Sequence, residues 1–491
     1  MDDANDHSLG SVSSRDDRVQ ASVSPESVKS SAPLLGPILA GPIVPTMLRL
    51  ALPTLVVLLV QTSVGVAETY FVSFLGTEAL TGVALVFPVL MLMQMMSNGG
   101  IGGGVAAAIA RALGGGRTAD AEALVFHALV LAGLFGLAFT AAALLGGPVL
   151  YRALGGTEGA LRAALTYSDI VFAGAIPLWV VAVLASALRG SGNVRVPALV
   201  TVIGAALLVL ASPALIFGWG PLPRLGIAGA GIAVVTYYLG GAAALIGYLA
   251  TGRGLRLRRV KLEGRLFKDI LGVGILSAIG TVQANLTVAL VTGAVGLFGA
   301  EAIAGYGLAS RLDYVLVPLL FGFGTALVTM VAANLGSGQV KRARRIAWIG
   351  AAIGAGATEL IGLAAASYPA GWIGLFSDDP TVFQTGALYL RTVAPCYGFF
   401  GLGMMLYFAS QGARRVAWPV IGGTIRLIVA GLAGWSAVAW LDAGLTTLFA
   451  VVALSMVLFG SICALAVRMS RWQPSAPDIR SGRIAAGRRI V

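Results

Sequence analysis

The sequence predicts an all-α membrane protein whose twelve transmembrane helices form two pseudo-symmetric six-helix lobes. Composition is the first reason, because 57% of the 491 residues are hydrophobic and 11% are charged, whereas soluble domains carry about a quarter charged residues. The second reason is that long apolar runs lie on both sides of a basic stretch at 251–268. The third is a weak repeat that relates the two apolar halves.

The chain divides at this basic stretch. A transmembrane helix needs about 20 mostly apolar residues, and six segments on each side reach that length. They run near 48–75, 79–111, 121–146, 160–189, 196–218 and 226–250, and then near 269–298, 302–334, 345–368, 382–411, 417–440 and 444–468. We therefore expect a first lobe at 46–250, a cytoplasmic basic linker at 251–268 and a second lobe at 269–469.

The two ends of the chain differ in composition from the lobes. Residues 1 to about 40 are rich in Ser and Asp without periodicity, so we expect a disordered N-terminal tail within 1–45. The segment 33–45 is apolar but interrupted by Pro and Gly, and we expect it to lead into the first lobe along the membrane interface. Residues 470–491 form a basic C-terminal tail.

Loop charge predicts the orientation in the membrane. With the N-terminus inside, the cytoplasmic loops hold Arg111, Arg117, Arg189, Arg195, the cations of the linker, Lys341, Arg342, Arg344, Arg345, Arg414 and Arg415. The outer loops hold Arg152, Arg162 and Arg224. Because cytoplasmic loops are enriched in Lys and Arg, we expect a multi-pass protein of the cell inner membrane with both termini in the cytoplasm. The same clustering explains the net charge of +12 without a nucleic-acid partner.

The repeat is carried by three pairs of segments. The segments 74–82, 113–116 and 189–197 correspond to 297–305, 335–338 and 411–419. The second and third pairs are 222 positions apart, and the first pair is one residue further apart. Duplicated halves of equal topology are related by an axis along the membrane normal, with the substrate site between them near the midplane. The repeat therefore indicates a transporter.

Other classes of protein fit the sequence less well. Cys396 and Cys463 lie in apolar runs and are expected to act as small hydrophobic residues. His7 and His127 are isolated and suggest no metal site. The sequence contains no enzymatic motif, and we expect a monomer without a cofactor.

Short motifs recur in order along the apolar spans. They are Leu52-Pro53, Glu68-Thr69-Tyr70-Phe71, Leu75-Gly76, Leu113-Gly114, Arg189-Gly190-Ser191-Gly192, Ile216-Phe217-Gly218, Ile303-Ala304-Gly305-Tyr306 and Ser410-Gln411-Gly412. In order and spacing the chain resembles, over about residues 46–468, the multidrug and toxic compound extrusion (MATE) family, closer to its DinF-like kind. The resemblance implies a cation-driven antiporter that exports small amphipathic, often cationic, compounds by rocking two lobes.

Glu68 is an acidic side chain inside the first span, with Gly65 and Gln61 on the same helical face. A carboxylate in the hydrocarbon region is costly, and such residues normally face a cavity and carry ions or protons. The resemblance places at this position an Asp that takes part in cation coupling. We therefore expect Glu68 to couple ion movement to transport and to face the space between the lobes. The alternative is a protonated Glu that only bonds a neighbouring helix.

The chain departs from the pattern of ion-binding residues that the resemblance implies. Where DinF-like relatives carry an Asn and an Asp before a Pro in span five, this chain has Leu208 and Ser212 before Pro213. The acids of NorM-like relatives are replaced by apolar or amide residues near Gln283 and Phe400. Because a sodium site needs several hard oxygen ligands, we expect coupling to protons. Sodium coupling, or loss of the coupling site, stays open.

Amide side chains mark the expected substrate cavity. Gln94 and Asn98 lie at i, i+4 within a methionine-rich part of span two, and methionine suits promiscuous surfaces. Gln61 in span one and Gln283 and Asn285 in span seven are the other candidates. Alternatively, the methionines fill lipid-facing gaps and the amides only bond neighbouring helices.

Three charged residues in later spans have other expected roles. Asp169 and Arg391 occupy equivalent positions in the repeat, toward the outer ends of spans four and ten. We expect them to pair as an outer gate when the outer side closes, or else to reach the interface separately. Asp313 in span eight is expected to serve contacts between helices.

The sequence thus predicts an antiporter that exports small amphipathic or cationic compounds in exchange for protons. A sodium-coupled exporter of the same family is one alternative. A lipid-linked precursor flippase is another, although it would need several cavity cations to hold phosphate and the later spans ten and eleven contain only Arg391 and Arg426. A channel or a structural membrane protein is disfavoured by the duplicated halves and by Glu68.

Overall fold

The computed structural model describes residues 32–219 and 223–473, and within them the protein is all-helical without a β-strand. The helices are α1 (Ala32–Ala40), α2 (Ile43–Ser73), α3 (Thr77–Gly114), α4 (Thr118–Ala153), α5 (Glu158–Ala173), α6 (Ala175–Gly190), α7 (Arg195–Phe217), α8 (Ile227–Ala250), α9 (Gly264–Gly296), α10 (Ala300–Gly336), α11 (Val340–Ser367), α12 (Ala370–Ile373), α13 (Pro380–Gly412), α14 (Ala417–Leu441) and α15 (Leu445–Met469). Counting α5 and α6 as one bent span gives twelve apolar helices of membrane-crossing length. The twelve-helix prediction is confirmed.

The fourth span is bent by 50° where α5 meets α6 at Gly174. Pro177 follows in the first turn of α6 and has no N–H to donate to the preceding turn, which favours a break at this point. Gly174 also allows α8 to approach, since a Cβ at this position would lie 2.5 Å from Val235 Cγ2.

The helices pack as two lobes of the same topology, α2–α8 and α9–α15. Each lobe has a hydrophobic core, and the start of α2 also packs in the second core and the start of α9 in the first. A Cβ on Gly190 would lie 2.5 Å from the Ala106 carbonyl oxygen, and a Cβ on Gly412 would lie 2.7 Å from the Val328 carbonyl oxygen. Gly412 and Val328 follow Gly190 and Ala106 by 222 positions. The same close helix contact therefore occurs in both lobes, as expected from the repeat.

The lobes meet along α3 and α10, near the ends that adjoin the basic loops. A Cβ on Gly114 would lie 2.1 Å from the Ala333 carbonyl oxygen, and a Cβ on Gly336 would lie 2.2 Å from the Arg111 carbonyl oxygen. The same 222-residue offset exchanges these two contacts, so the local symmetry axis passes between the two helices. Small residues let membrane helices approach this closely. We call the contact of these four residues the seam.

Polar contacts between the lobes strengthen this end of the protein. The Arg111 guanidinium donates to the Gly412 carbonyl oxygen at 3.2 Å. At the start of α9, Arg265 pairs with Asp120 at the start of α4 at 2.8 Å. The lobes are therefore closed toward the basic loops.

The segment before the first lobe packs against the second lobe. We expected 33–45 to lie along the membrane interface, but it includes α1, whose Leu35 and Ile38 are buried in the second core. The Asn334 Nδ2 donates to the Ile38 carbonyl oxygen at 3.2 Å. The i, i+3 spacing of Leu35 and Ile38 puts both on one helical face. Residues 1–31 of the expected tail, and 474–491 of the C-terminal tail, lie outside the described residues.

The basic linker is fixed to the first lobe. Leu255 is buried in the first core, and His127 Nε2 accepts a hydrogen bond from the Glu263 N–H at 2.8 Å. Because α9 begins at Gly264, the last residues of the linker expected at 251–268 belong to the first helix of the second lobe.

Asp313 holds helices of the second lobe together. It accepts a hydrogen bond from the Tyr389 hydroxyl at 2.7 Å and another from the Tyr397 hydroxyl. Both tyrosines are fully buried. This contact between α10 and α13 agrees with the structural role expected for Asp313.

Replacing Asp313 with Ala is expected to lower the free energy of unfolding by about 2–4 kcal/mol, because it leaves two buried tyrosine hydroxyls without an acceptor. Thermal unfolding of the purified protein in detergent measures the change. Adding Tyr389→Phe should recover part of the loss, since one unpaired hydroxyl is then removed. Asp378→Ala, at an exposed loop position, is the control, and an equal effect of both Ala variants would contradict the assignment.

Candidate functional site

A cavity of about 290 Å³ lies between the lobes, on the side of the seam away from the basic loops. Helices of both lobes line it, as expected for a substrate site between duplicated halves. Gln61, Gln94, Asn98 and Gln283 are among the lining residues. The structure therefore brings together four of the five residues that the sequence suggested for a substrate cavity.

Asn285, the fifth candidate, does not line this cavity. Gly280, Gln283, Ala284 and Thr287 line it, and their i, i+3, i+4, i+7 spacing defines one face of α9. Asn285 borders this face, one turn after the lining residue Thr281, and is exposed. Its Nδ2 donates to the Thr281 carbonyl oxygen at 2.9 Å and lies 3.7 Å from Sδ of the lining residue Met95.

The lining amides also bond neighbouring groups. Gln94 Nε2 contacts the Tyr238 hydroxyl at 3.4 Å. Gln283 Nε2 donates to Thr424 Oγ1 at 2.7 Å, and its buried Oε1 has no hydrogen-bond partner among the described residues. Gln283 thus joins two helices while keeping an acceptor free.

A π-helical segment, Met96–Ile101, interrupts α3 beside the cavity. Such segments occur mostly as single turns, frequently at functional sites. The glycines around it pack closely against the second lobe. A Cβ on Gly100 would lie 3.2 Å from Ala278 Cα, and a Cβ on Gly104 would lie 2.4 Å from the Ile270 carbonyl oxygen. Close packing is therefore one role of the glycines at 99–104.

Two arginines line the cavity, and the sequence analysis missed both as cavity residues. Arg189 was assigned to a cytoplasmic loop, and Arg426 was counted only as a cation in a later span. Among the described residues that line the cavity, none is Asp or Glu. The charge of the lining therefore does not favour the cationic compounds that the family resemblance implies.

Apolar and aromatic side chains make up much of the rest of the wall. Met91 and Met95 come from the first lobe and Met404 from the second. The aromatic lining residues are Tyr237, Tyr238, Phe321, Tyr407, Phe408 and Phe459. Such a lining suits flat, apolar ring systems.

Glu68 lies inside the first lobe, between α2 and α7. Its Oε2 accepts a hydrogen bond from Ser212 Oγ at 3.1 Å, and its buried Oε1 has no hydrogen-bond partner among the described residues. Glu68 does not line the cavity, so the expectation that it faces the space between the lobes is wrong. It follows Gln61 by two helical turns, or about 10 Å along α2. The same helix therefore connects the carboxylate to the cavity.

The expected outer gate is not formed in this conformation. Asp169 and Arg391 are both exposed, and no salt bridge joins them among the ion pairs of the described residues. Because the lobes are closed at the opposite end, these residues stay a prediction for a state closed on the outer side.

Similarity to known proteins extends over both lobes. The family model MatE matches residues 53–213 and 277–435. The chain is 27% identical over 430 residues to a Shewanella oneidensis protein named FAD transporter, covering 87% of this chain and 94% of that protein. It is 25% identical over 378 residues to the probable multidrug resistance protein NorM of Thermotoga maritima, with 76% and 81% covered.

Solved structures share the fold. A MOP superfamily transporter from Pyrococcus furiosus matches with a TM-score of 0.79 at 22% identity, covering 88% of this chain and 97% of that one. A MATE structure in the bent conformation matches with a TM-score of 0.81 at 23% identity, covering 88% and 96%. At these identities the likeness shows the twelve-helix fold.

Proposed function

Because the chain belongs to the MatE family of membrane transporters, we propose that it exports small amphipathic molecules by antiport, with Glu68 as the group that couples proton entry to export. The observation that carries the proposal is a central cavity that lies between two repeated lobes and is closed at one end by the seam. Opening the seam and closing the opposite end would move the cavity from one side of the membrane to the other.

The positive-inside rule supports cytoplasmic termini in an inner membrane. The closed end, which adjoins the basic loops, is then cytoplasmic, and the structure is the outward-facing state. We propose that the protein works as a monomer, since each monomer contains both lobes and a complete cavity.

Glu68 and the cavity share α2 and are otherwise separate. Gln61 and Thr54 line the cavity from this helix, while Glu68 contacts Ser212 of α7. We propose that binding of a proton to the carboxylate changes the packing of α2 against α7, and that this change reshapes the cavity wall. Substrate and proton therefore act on the same helix without competing for the same atoms.

The surroundings of Glu68 favour a proton over sodium. Among the described residues, Ser212 supplies the one side-chain hydrogen bond to the carboxylate. A proton needs a single acceptor oxygen, whereas a bare alkali cation needs several oxygen ligands. The separate, unpartnered Oε1 is such an acceptor.

The names of the relatives point to two kinds of substrate. The Thermotoga protein is named a multidrug resistance protein and the Shewanella protein a FAD transporter. A flavin nucleotide is therefore a candidate substrate of this chain beside drug-like compounds.

The test is transport in proteoliposomes under separately imposed pH and sodium gradients. With one proton exchanged per cycle, an inward pH gradient of one unit is expected to sustain about a tenfold gradient of an uncharged substrate. A tenfold sodium gradient without a pH gradient should sustain no substrate gradient. Uphill transport that follows sodium and ignores pH would instead support the sodium-coupled alternative.

A further inference from the structure

We propose that the central cavity selects aromatic anions, and that Arg426 and Arg189 bind the anionic group. The transport of such a compound rests on the proposed function, but its binding does not. Cavity charge, hydrogen-bonding capacity and wall composition each support this assignment.

No salt bridge neutralises Arg426 among the described ion pairs, and the Asp313 carboxylate of the same lobe acts on it only from a distance. It lines the cavity from α14, and its Cζ lies 4.9 Å from the centre of the Phe400 ring. Its buried Nε has no hydrogen-bond partner among the described residues. Asp313 of the same lobe is occupied by Tyr389 and Tyr397, and it forms no salt bridge with Arg426 among the described ion pairs. Arg426 therefore keeps donors free for an incoming anion.

Arg189 supplies a second cation near the seam. One of its terminal nitrogens donates to Ser186 Oγ at 2.7 Å. Its backbone carbonyl accepts from the Thr329 hydroxyl of the other lobe at 3.2 Å, which fixes the end of α6 against α10. The described ion pairs include none with Arg189. Arg426 lies on the second lobe and Arg189 on the first, so each lobe contributes one cation to the cavity wall.

The geometry of the arginine side chain narrows the ligand class. A planar guanidinium donates in pairs to the oxygens of phosphate and carboxylate. Isolated charges in the membrane region are costly and usually mark a substrate or ion pathway. Arginine also stacks on aromatic faces, and the tyrosine and phenylalanine lining suits a planar ring. The cavity therefore fits a flat ring joined to a phosphate or carboxylate.

Riboflavin and flavin mononucleotide form a matched pair of probes, because they share one ring and differ by a phosphate. We expect the purified full-length protein in detergent to bind the mononucleotide at least about tenfold more tightly, which corresponds to about 1.4 kcal/mol. Fluorescence titration at low and high salt measures both affinities, and the difference should shrink at high salt because charges are screened.

Substituting Arg426 tests the role of the side chain. Arg426→Gln should weaken binding of the mononucleotide about tenfold and that of riboflavin less than about twofold. Arg426→Lys should retain only part of the preference, because an ammonium keeps the charge but lacks the paired planar donors. Arg311→Gln removes a cation that is exposed near Phe376, outside the cavity, and should leave both affinities unchanged.

Three results would overturn the proposal. They are equal affinity of the wild type for the two flavins, tighter binding of the cation ethidium than of the mononucleotide, and an equal loss of both flavins in Arg426→Gln. Displacement of the mononucleotide by a polyprenyl phosphate, but not by a nucleoside monophosphate, would assign the anion site to a lipid-linked compound. It would then overturn the proposal that the ligand carries an aromatic ring. Because these measurements use no ion gradient, they test anion binding separately from antiport. The anion-binding proposal can be wrong while Glu68-dependent antiport is right, and the reverse is also possible.

Discussion

Glu68→Gln is expected to abolish uphill export while leaving substrate binding intact. The amide keeps the size of the side chain and can still accept a hydrogen bond from Ser212, but it cannot bind and release a proton. One elementary charge moving through about 100 mV supplies about 2.3 kcal/mol, enough for about a fortyfold gradient of an uncharged substrate. In the variant this gradient should fall to unity. Fluorescent substrate accumulated by energised proteoliposomes measures the loss.

Two further measurements separate coupling from binding and folding. Substrate affinity in detergent should stay within about twofold of that of the wild type at acidic pH, because the amide resembles the protonated carboxyl and Glu68 lies about two helical turns from the nearest cavity residue on α2. Glu78→Gln is the matched control, since Glu78 is an exposed carboxylate beyond the end of the same span. Gradient-driven export that survives in Glu68→Gln would show that another group couples the ion.

The sequence was informative about everything that depends on hydrophobic length and on the repeat. The twelve spans follow from apolar runs, because a helix must be about 20 residues long to cross the bilayer. The repeat offset of 222 residues also paired Gly114 with Gly336, and the structure then places both at the seam. Both signals survive many substitutions and need no knowledge of side-chain direction.

Side-chain direction accounts for the residues that were misplaced. Arg189 was counted as a loop cation because loop charge counts do not consider which way a side chain points at a helix end. Asn285 was grouped with Gln283, although residues two positions apart on a helix are separated by about 200° around its axis. Burial of Glu68 inside one lobe depends on how α2 packs on α7, which one sequence does not reveal.

A substitution at the seam is expected to shift the equilibrium between its closed and open states. Gly336→Ala adds a Cβ that would lie 2.2 Å from the Arg111 carbonyl oxygen when the seam is closed. Because that oxygen belongs to a helix backbone, the overlap can be relieved only by moving α3 and α10 apart. The variant should therefore favour the state in which the seam is open. Reversing the ratio of closed to open states from 99:1 to 1:99 requires a change of about 5.5 kcal/mol in their free-energy difference. The overlap with a backbone atom is expected to destabilise the closed state by a large part of that amount.

Spin labels at Ala119 and Lys341 measure the opening. Both positions are exposed, lie at the starts of α4 and α11 in different lobes, and are equivalent in the repeat. The distance distribution between the labels should shift to longer values in Gly336→Ala, and export should fall at least about tenfold because one state is depleted. Gly114→Ala should produce the same shift, since its Cβ would meet the Ala333 carbonyl oxygen at 2.1 Å.

The symmetry of the seam adds a second requirement to this prediction. Two substitutions in different lobes introduce the same overlap on opposite sides of one axis, so they should act alike on the distance distribution and on export. Gly133→Ala is the control, because a Cβ at this position would meet nothing within 4 Å. If Gly336→Ala and Gly114→Ala left the distances at their wild-type values, the closed seam would tolerate the added atoms and alternating access would have to use another interface. If only one of them shifted the distances, the two lobes would not contribute equally to the closure of the seam.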